Sequence, residues 1–332
     1  MKTILVPIDY SNQSRQALIF AVDIARVSKA AIILFHAFHE PLSVGNALRV
    51  DEAIAQLERE KNDILAEFAE EVKYDICKDF KLQFISTHHK KPNDTGNLTK
   101  SGNHVMAIDQ VVAERAAVNI TCVSKFGLAA DEILAAAATF QADIIIMSSR
   151  GAGAVSQAFM GSTVTVVFQS AKVPVLVLPS LAPIKPIQNI VFSANLACLP
   201  SNFLLDSLRQ LVKITGANLQ VLHLYKDNNP QEEQVKTMTA LDALDSQLSD
   251  LNYQVYFRQV EDIATGIQAF MQEQQADLLV LIPQRHTFLE KLFKKSITGK
   301  FTEQANLALL TLPYQTNPLP VAATEKIMGE KG

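Results

Sequence analysis

Long apolar runs are what this chain most plainly lacks: nowhere do about 18 uninterrupted apolar residues occur, which excludes an ordinary membrane-spanning helix. Cysteine is scarce as well. Cys77, Cys122 and Cys198 are odd in number and far apart, so they build neither a disulfide framework nor a metal set and read as free thiols of a reducing compartment. Charge of one sign is missing too. The net charge of the 332 residues is −4 with no long run of either sign, which excludes general nucleic-acid binding, since that draws its affinity from clustered Lys and Arg. The nearest exception, Lys291, Lys294, Lys295 and Lys300, reads as a solvated helix face. Neither a Gly-x-x-x-x-Gly-Lys phosphate loop nor a nucleophile elbow occurs. The apolar run Ile4 to Ile8 comes after Lys2 alone and reads as a strand, not a leader, so a cytoplasmic protein is expected.

What is present is a repeat. Residues Ala142 to Pro179 lie without a gap over Ala276 to Pro313 at a constant offset of 134, with eight identities that include the opening Ala-Asp and the closing Leu-Pro. The copies differ where it matters chemically. Gly151, Gly153 and Gly161 of the first face Arg285, Thr287 and Lys295 of the second. Glycine lets a backbone approach a ligand, so the copies are expected to share a fold and not a binding site.

Apolar periodicity then orders the chain. The first half reads as strands at Ile4 to Ile8, Ala31 to Phe35, Asn119 to Val123, Ile144 to Met147 and Val173 to Leu178. Helices begin at Ser11 or Ser14, run from Leu48 to Val72 and from Leu128 to Phe140, and follow Gly161. The second half repeats this order at Ile190 to Ser193, Leu219 to His223, Tyr253 to Val260, Leu278 to Ile282 and Leu307 to Leu312, with helices at Ser201 to Ile214 and Glu233 to Leu248. Strands apolar on both faces and alternating with helices indicate parallel sheets covered on both sides. The expected fold is α/β, two doubly wound, Rossmann-like domains in tandem: 1–180, with an insert at about 74–109 that includes a possible strand at Leu82 to Ser86, and 187–313, followed by a tail, 314–332. The final strands of the two halves are expected to pair, making the tandem an internal pseudo-dimer.

Within this order, Ser148-Ser-Arg-Gly151, nine residues, then Gly161-Ser162 resembles the nucleotide-binding signature of the universal stress protein family, with Ser148 in place of the signature's first glycine. Val6-Pro-Ile-Asp9, Leu34-Phe-His-Ala37 and Val173-Pro-Val-Leu-Val match the same family. The resemblance implies an adenine nucleotide-binding fold of the alpha-hydrolase-like kind. It also implies a site for ATP or another adenine nucleotide, with or without magnesium. Pro7, Ile8, Asp9 and Ala37 would face adenine and ribose, Met147, Ser148 and Gly151 the turn from ribose to phosphate, and Gly161, Ser162 and Thr163 the phosphates. Asn195, Ile282, Arg285 and Lys295 make the second half a poor copy of that site.

The implied function is a stress-associated sensor or regulator that binds nucleotide in its first half, with no catalytic residues. The alternative is an interaction module without nucleotide. A homodimer is left open; membrane and nucleic acid are not expected as partners. His88, His89 and His104, with His36 and His39, suggest a metal only superficially, because adjacent histidines rarely share one ion and His36 has a repeat counterpart in His223. No metal is expected.

Overall fold

The computed structural model describes residues 1–41, 50–76, 82–85, 118–149, 161–179, 186–196, 202–226, 238, 241–242, 244–282 and 307–313. Within them, the apolar runs form β1 (Thr3–Pro7), β2 (Ala31–Phe38), β3 (Leu82–Ile85), β4 (Val118–Phe126), β5 (Ile144–Ser148) and β6 (Val175–Leu178), then β7 (Asn189–Ser193), β8 (Asn218–Tyr225), β9 (Tyr253–Gln259), β10 (Leu278–Leu281) and β11 (Ala308–Thr311). The helices are α1 (Asn12–Ser28), α2 (Val50–Ile76), α3 (Ala129–Thr139), α4 (Ser162–Ser170), α5 (Asn202–Thr215) and α6 (Ile263–Glu273). Residues 244–248 are also helical, inside the helix expected up to Leu248.

Local chemistry sets the helix ends. Ser11, in extended backbone, accepts the Ser14 amide at the start of α1, and Lys29 turns left-handed (φ 58°) to close it, donating to Ala25. Asp262 caps α6 in the same way through Thr265. Past α3 and α6 the left-handed residues are Gln141 (φ 50°) and Gln275 (φ 48°), which are repeat counterparts.

The described strands form one sheet, in the order β3-β4-β2-β1-β5-β6-β11-β10-β7-β8-β9. Every neighbouring pair is parallel except β6 and β11, which run antiparallel and join the halves. The expected pairing of the final strands is therefore present. In its register Leu176 faces Leu310, its own counterpart at the offset of 134, so a pseudo-two-fold axis passes between them. Alternation within strands divides the core. Ile4, Val6, Ile32 and Leu34 pack with Ile190, Phe192 and Leu310 beneath α1, α2 and α5, and Leu5, Ile145, Val177, Leu279 and Leu309 pack beneath α3, α4 and α6. These two apolar layers cross the junction without interruption, and the terminal ammonium of Met1 on one half meets Gln210 of α5 on the other.

One boundary differs from the sequence reading, and the possible strand of the insert is present. Helix α2 continues to Ile76, past the expected end at Val72, and its inward residues Leu65, Ala69 and Val72 pack on the sheet. The short run at Leu82 becomes a sixth parallel strand of the first half, pairing with β4 from Leu82 opposite Val118 to Ile85 opposite Thr121. The rest of the expected insert and the tail lie outside the described residues, as do Gly151, Gly153, Arg285 and Lys295.

Candidate functional site

In the first half the chain leaves β1 toward β2 on one side and later returns to place β5 on the other, so strand order reverses between β1 and β5. In such sheets ligands bind beyond the carboxyl ends at this crevice. The register brings the expected residues there. Pro7 pairs with Phe35 and Leu5 with Ile145, and extension of both ladders puts Asp9, Ala37 and Ser149 at one level.

The β1 side is built by a tight turn. Ile8 donates its amide to Phe35 (2.7 Å), Asp9 follows exposed, and Tyr10 adopts a left-handed conformation (φ 62°). The exposed Asp9 carboxylate accepts the Ser11 amide (3.1 Å) and hydroxyl (2.6 Å), and the Asp9 amide points to the Ser14 hydroxyl (3.4 Å). Asp9 is thus a fixed charge at the mouth.

Below it, His36 donates from Nδ1 to the Ile8 carbonyl (2.8 Å), and the Tyr10 ring lies 4.6 Å from the His36 ring and 5.4 Å from that of Phe68. Burial lowers the pKa of His36, and it pushes the Tyr10 hydroxyl up to about 12, with Cys122 nearby adding to the rise. Cys122 is itself raised to about 11 by burial and then by Glu70. These groups are a neutral, packed floor beneath the turn.

The β5 side ends in two buried serines, Ser148 and Ser149. Ser149 donates to Leu178 (2.8 Å) and its carbonyl accepts the Gly161 amide (2.9 Å), which ties the start of α4 to the crevice. Gly161 is the N-cap of α4, with φ −69° and ψ 161°, and no side chain caps this end. Any L-residue adopts those angles, and a Cβ there would meet nothing of the described protein nearer than the Ser149 carbonyl at 3.9 Å. Among the described residues nothing demands glycine at this position. The first amides of α4 have no carbonyl within the helix to accept them, and together with the helix dipole they attract anions.

Of the residues expected at the site, Asp9 and Ser162 are exposed, and Ala37, Gly161 and Thr163 are partly so; Pro7, Ile8, Met147 and Ser148 are buried at the strand ends beneath them. Gly151 lies outside the described residues. Among those described, no three His, Cys, Asp or Glu side chains gather as a metal set. Sequence reasoning missed Tyr10, which turns left-handed after Asp9 and packs on His36 and Phe68; an aromatic residue between Asp9 and a Ser-rich cap carries no local sign of left-handed backbone.

In the second half the equivalent crevice lies between β7 and β10. The floor is kept: Ala194 donates to Leu222 (3.0 Å), and buried His223 places Nδ1 3.3 Å from the Ala194 carbonyl, as His36 does with Ile8. His36 and His223 are therefore a structural pair of the repeat. The mouth is not kept, since Asn195 stands for Asp9 and Ile282 for Ser148.

A sheet wound both ways from a central switch point, with an anion-attracting helix end beside it, defines a doubly wound α/β protein built twice. The model of the universal stress protein family matches residues 1–179, more than half of the chain. The chain belongs to that family. Its fold is similar to that of a universal stress protein from Archaeoglobus fulgidus (16% identity, TM-score 0.51, covering 94% of this chain and 96% of that one). It is also similar to that of a putative universal stress protein from Pseudomonas aeruginosa (13% identity, TM-score 0.53, covering 94% and 93%). A comparison with curated proteins gave no match. No helix among the described residues is long and apolar enough to cross a membrane.

Proposed function

We propose that the first half binds an adenine nucleotide, ATP or a relative of it with or without magnesium, and that the protein acts as a cytoplasmic stress-linked sensor or regulator that does not turn the nucleotide over. The halves 1–180 and 187–313 are its domains, and 314–332 its tail. The observation that carries the reading is Gly161: it stands at the amino end of α4 with no side-chain cap, and neither its backbone angles nor its described neighbours require glycine. Room for a phosphate beside those amides is what the missing side chain supplies.

The surrounding residues fit the rest of such a ligand. Asp9 offers a carboxylate to a ribose hydroxyl or base amine, beside Pro7, Ile8 and Ala37. Met147, Ser148 and Gly151 would line the turn to phosphate, and Ser162 and Thr163 add hydroxyls and amides to Gly161. Burial of Ser148 favours a side chain turned into the protein over one that crowds the ligand. The bound nucleotide would supply the phosphate charge to which the α4 amides respond. Asp9 already accepts two hydrogen bonds from Ser11, which suits a fixed binding group better than a general base.

Mass spectrometry of ligand released from the purified protein, with calorimetry against ATP, tests this. A single adenine-nucleotide site is expected. If neither measurement finds nucleotide, the second reading takes its place: an interaction module without ligand, which the internal pairing of β6 with β11 favours.

A further inference from the structure

The two outer edges of the sheet differ. In the first half the third strand of the repeat, β4, is covered by β3, whereas its counterpart β9 ends the sheet among the described residues. Register equates Ile120 with Tyr253 through Ile32 and Leu219, so the position that bears a strand in one half bears none in the other among the described residues.

We infer that β9 is a homodimer edge, pairing antiparallel with β9 of a second copy about an axis at Tyr256. The backbone supports that pairing. Val260 donates to Tyr225 (3.0 Å), so the even-numbered residues of β9 turn their amides and carbonyls to β8, and Tyr253, Val255, Phe257 and Gln259 turn theirs outward. The same parity holds on β4, where Gly127 donates inward to Phe38 and the outward Phe126 amide goes to Glu58. A two-fold at Tyr256 sets Val255 opposite Phe257 of the second copy and Tyr253 opposite Gln259, which are hydrogen-bonded pairs of outward residues. Tyr256 then faces itself in a non-hydrogen-bonded pair.

Side chains agree with this register. Val255 and Phe257, which is 42% exposed, would form apolar cross-strand pairs on one face. On the other, Gln254 meets Arg258, so the two arginines are not opposed, and each keeps its own Glu273 (2.8 Å). The segment Tyr-Gln-Val-Tyr-Phe-Arg-Gln carries neither proline nor lysine, which commonly guard an edge, and its one charge, Arg258, is paired with Glu273. An antiparallel pair joining two parallel sheets is also a junction this chain already makes, at β6 and β11. Because the contact is isologous it closes as a dimer and does not propagate. Seven residues of strand bury little surface, so the dimer is weak and concentration-dependent.

Sedimentation of the full chain over a wide concentration range tests it. Reversible dimerisation is expected in the parent and its loss in Phe257→Lys, with the helical and strand circular dichroism unchanged. A parent that stays monomeric, or a dimer that survives Phe257→Lys, overturns the proposal. Should Phe257→Lys misfold, oxidation of Tyr256→Cys decides: two such cysteines face each other at disulfide range in the stated register. A cross-linked dimer is then expected where the parent gives none, and failure to cross-link rejects the edge.

Discussion

Asp143 and Asp277, the second residue of each repeat copy, hold the same two amides. Asp143 Oδ2 accepts from Lys2 and from Thr3 (2.9 Å), and Asp277 Oδ2 accepts from Gln188 (2.9 Å) and Asn189 (3.0 Å). Each aspartate in return donates its own amide to the partner strand, to Thr3 and to Asn189 at 2.9 Å. The carboxylate thus fastens the entry of the fourth repeat strand to the entry of the first, at the end of the sheet away from the crevice.

Removing either latch should cost stability without touching the site. Asp143→Ala and Asp277→Ala are each expected to lose about 1–3 kcal/mol, the scale of charge-assisted bonds to otherwise unpaired amides. Asn in either place should lose less. Urea unfolding measures this, and an unchanged midpoint would remove the latch.

Gly161 separates space from stability. Gly161→Ala should stay within about 0.5 kcal/mol of the parent in unfolding, because its Cβ has room. Gly161→Lys, which copies Lys295, should fold but no longer bind ATP in calorimetry, although its charge alone would favour the anion. Lys295→Gly should leave one site and not create a second. Binding by Gly161→Lys equal to the parent would mean the ligand sits elsewhere.

Burial holds His36 below its ordinary value of 6.5, so the unfolded chain takes up that proton first as the solution is acidified. This contribution is complete above about pH 6.5 and is lost as pH falls below it. His36→Gln should therefore flatten the decline of unfolding free energy on the acid side of 6.5. An identical slope in the variant would reject burial as the cause.

The alkaline side carries the opposite sign. Cys122 and Tyr10 rise from 9.0 to about 11 and from 10.0 to about 12, so the folded protein keeps protons that the unfolded chain has released. Their contribution is present below about pH 9 and disappears as pH climbs through 9 to 12. Cys122→Ala should lessen the fall between 9 and 11, and thiol reagents at neutral pH, mapped by mass spectrometry, should label Cys122 only on unfolding.

The strands are legible in the sequence because residues buried on both faces leave continuous apolar runs, as in Ile144 to Met147. The asymmetry of the site is legible as well, since glycine against arginine and lysine is a difference of kind. Contacts between distant parts are not. Nothing local at Asp143 announces that its carboxylate will meet amides at Lys2 and Thr3, and Gln141 and Gln275 give no warning of left-handed backbone. The four residues of β3 are too short a run to declare which strand they will join.

Joining the halves through an antiparallel pair turns one against the other. Strands β1 to β6 all run one way and β7 to β11 the other. The crevice beside Asp9 and the degenerate one beside Asn195 consequently open on opposite rims of the same sheet. No single small molecule can touch both. Influence of one rim on the other would run through what joins the halves, the Leu176 and Leu310 pair, the shared apolar layers and the Met1 contact with Gln210, so the glycines missing from the second copy leave the rim beside Asp9 chemically unaltered.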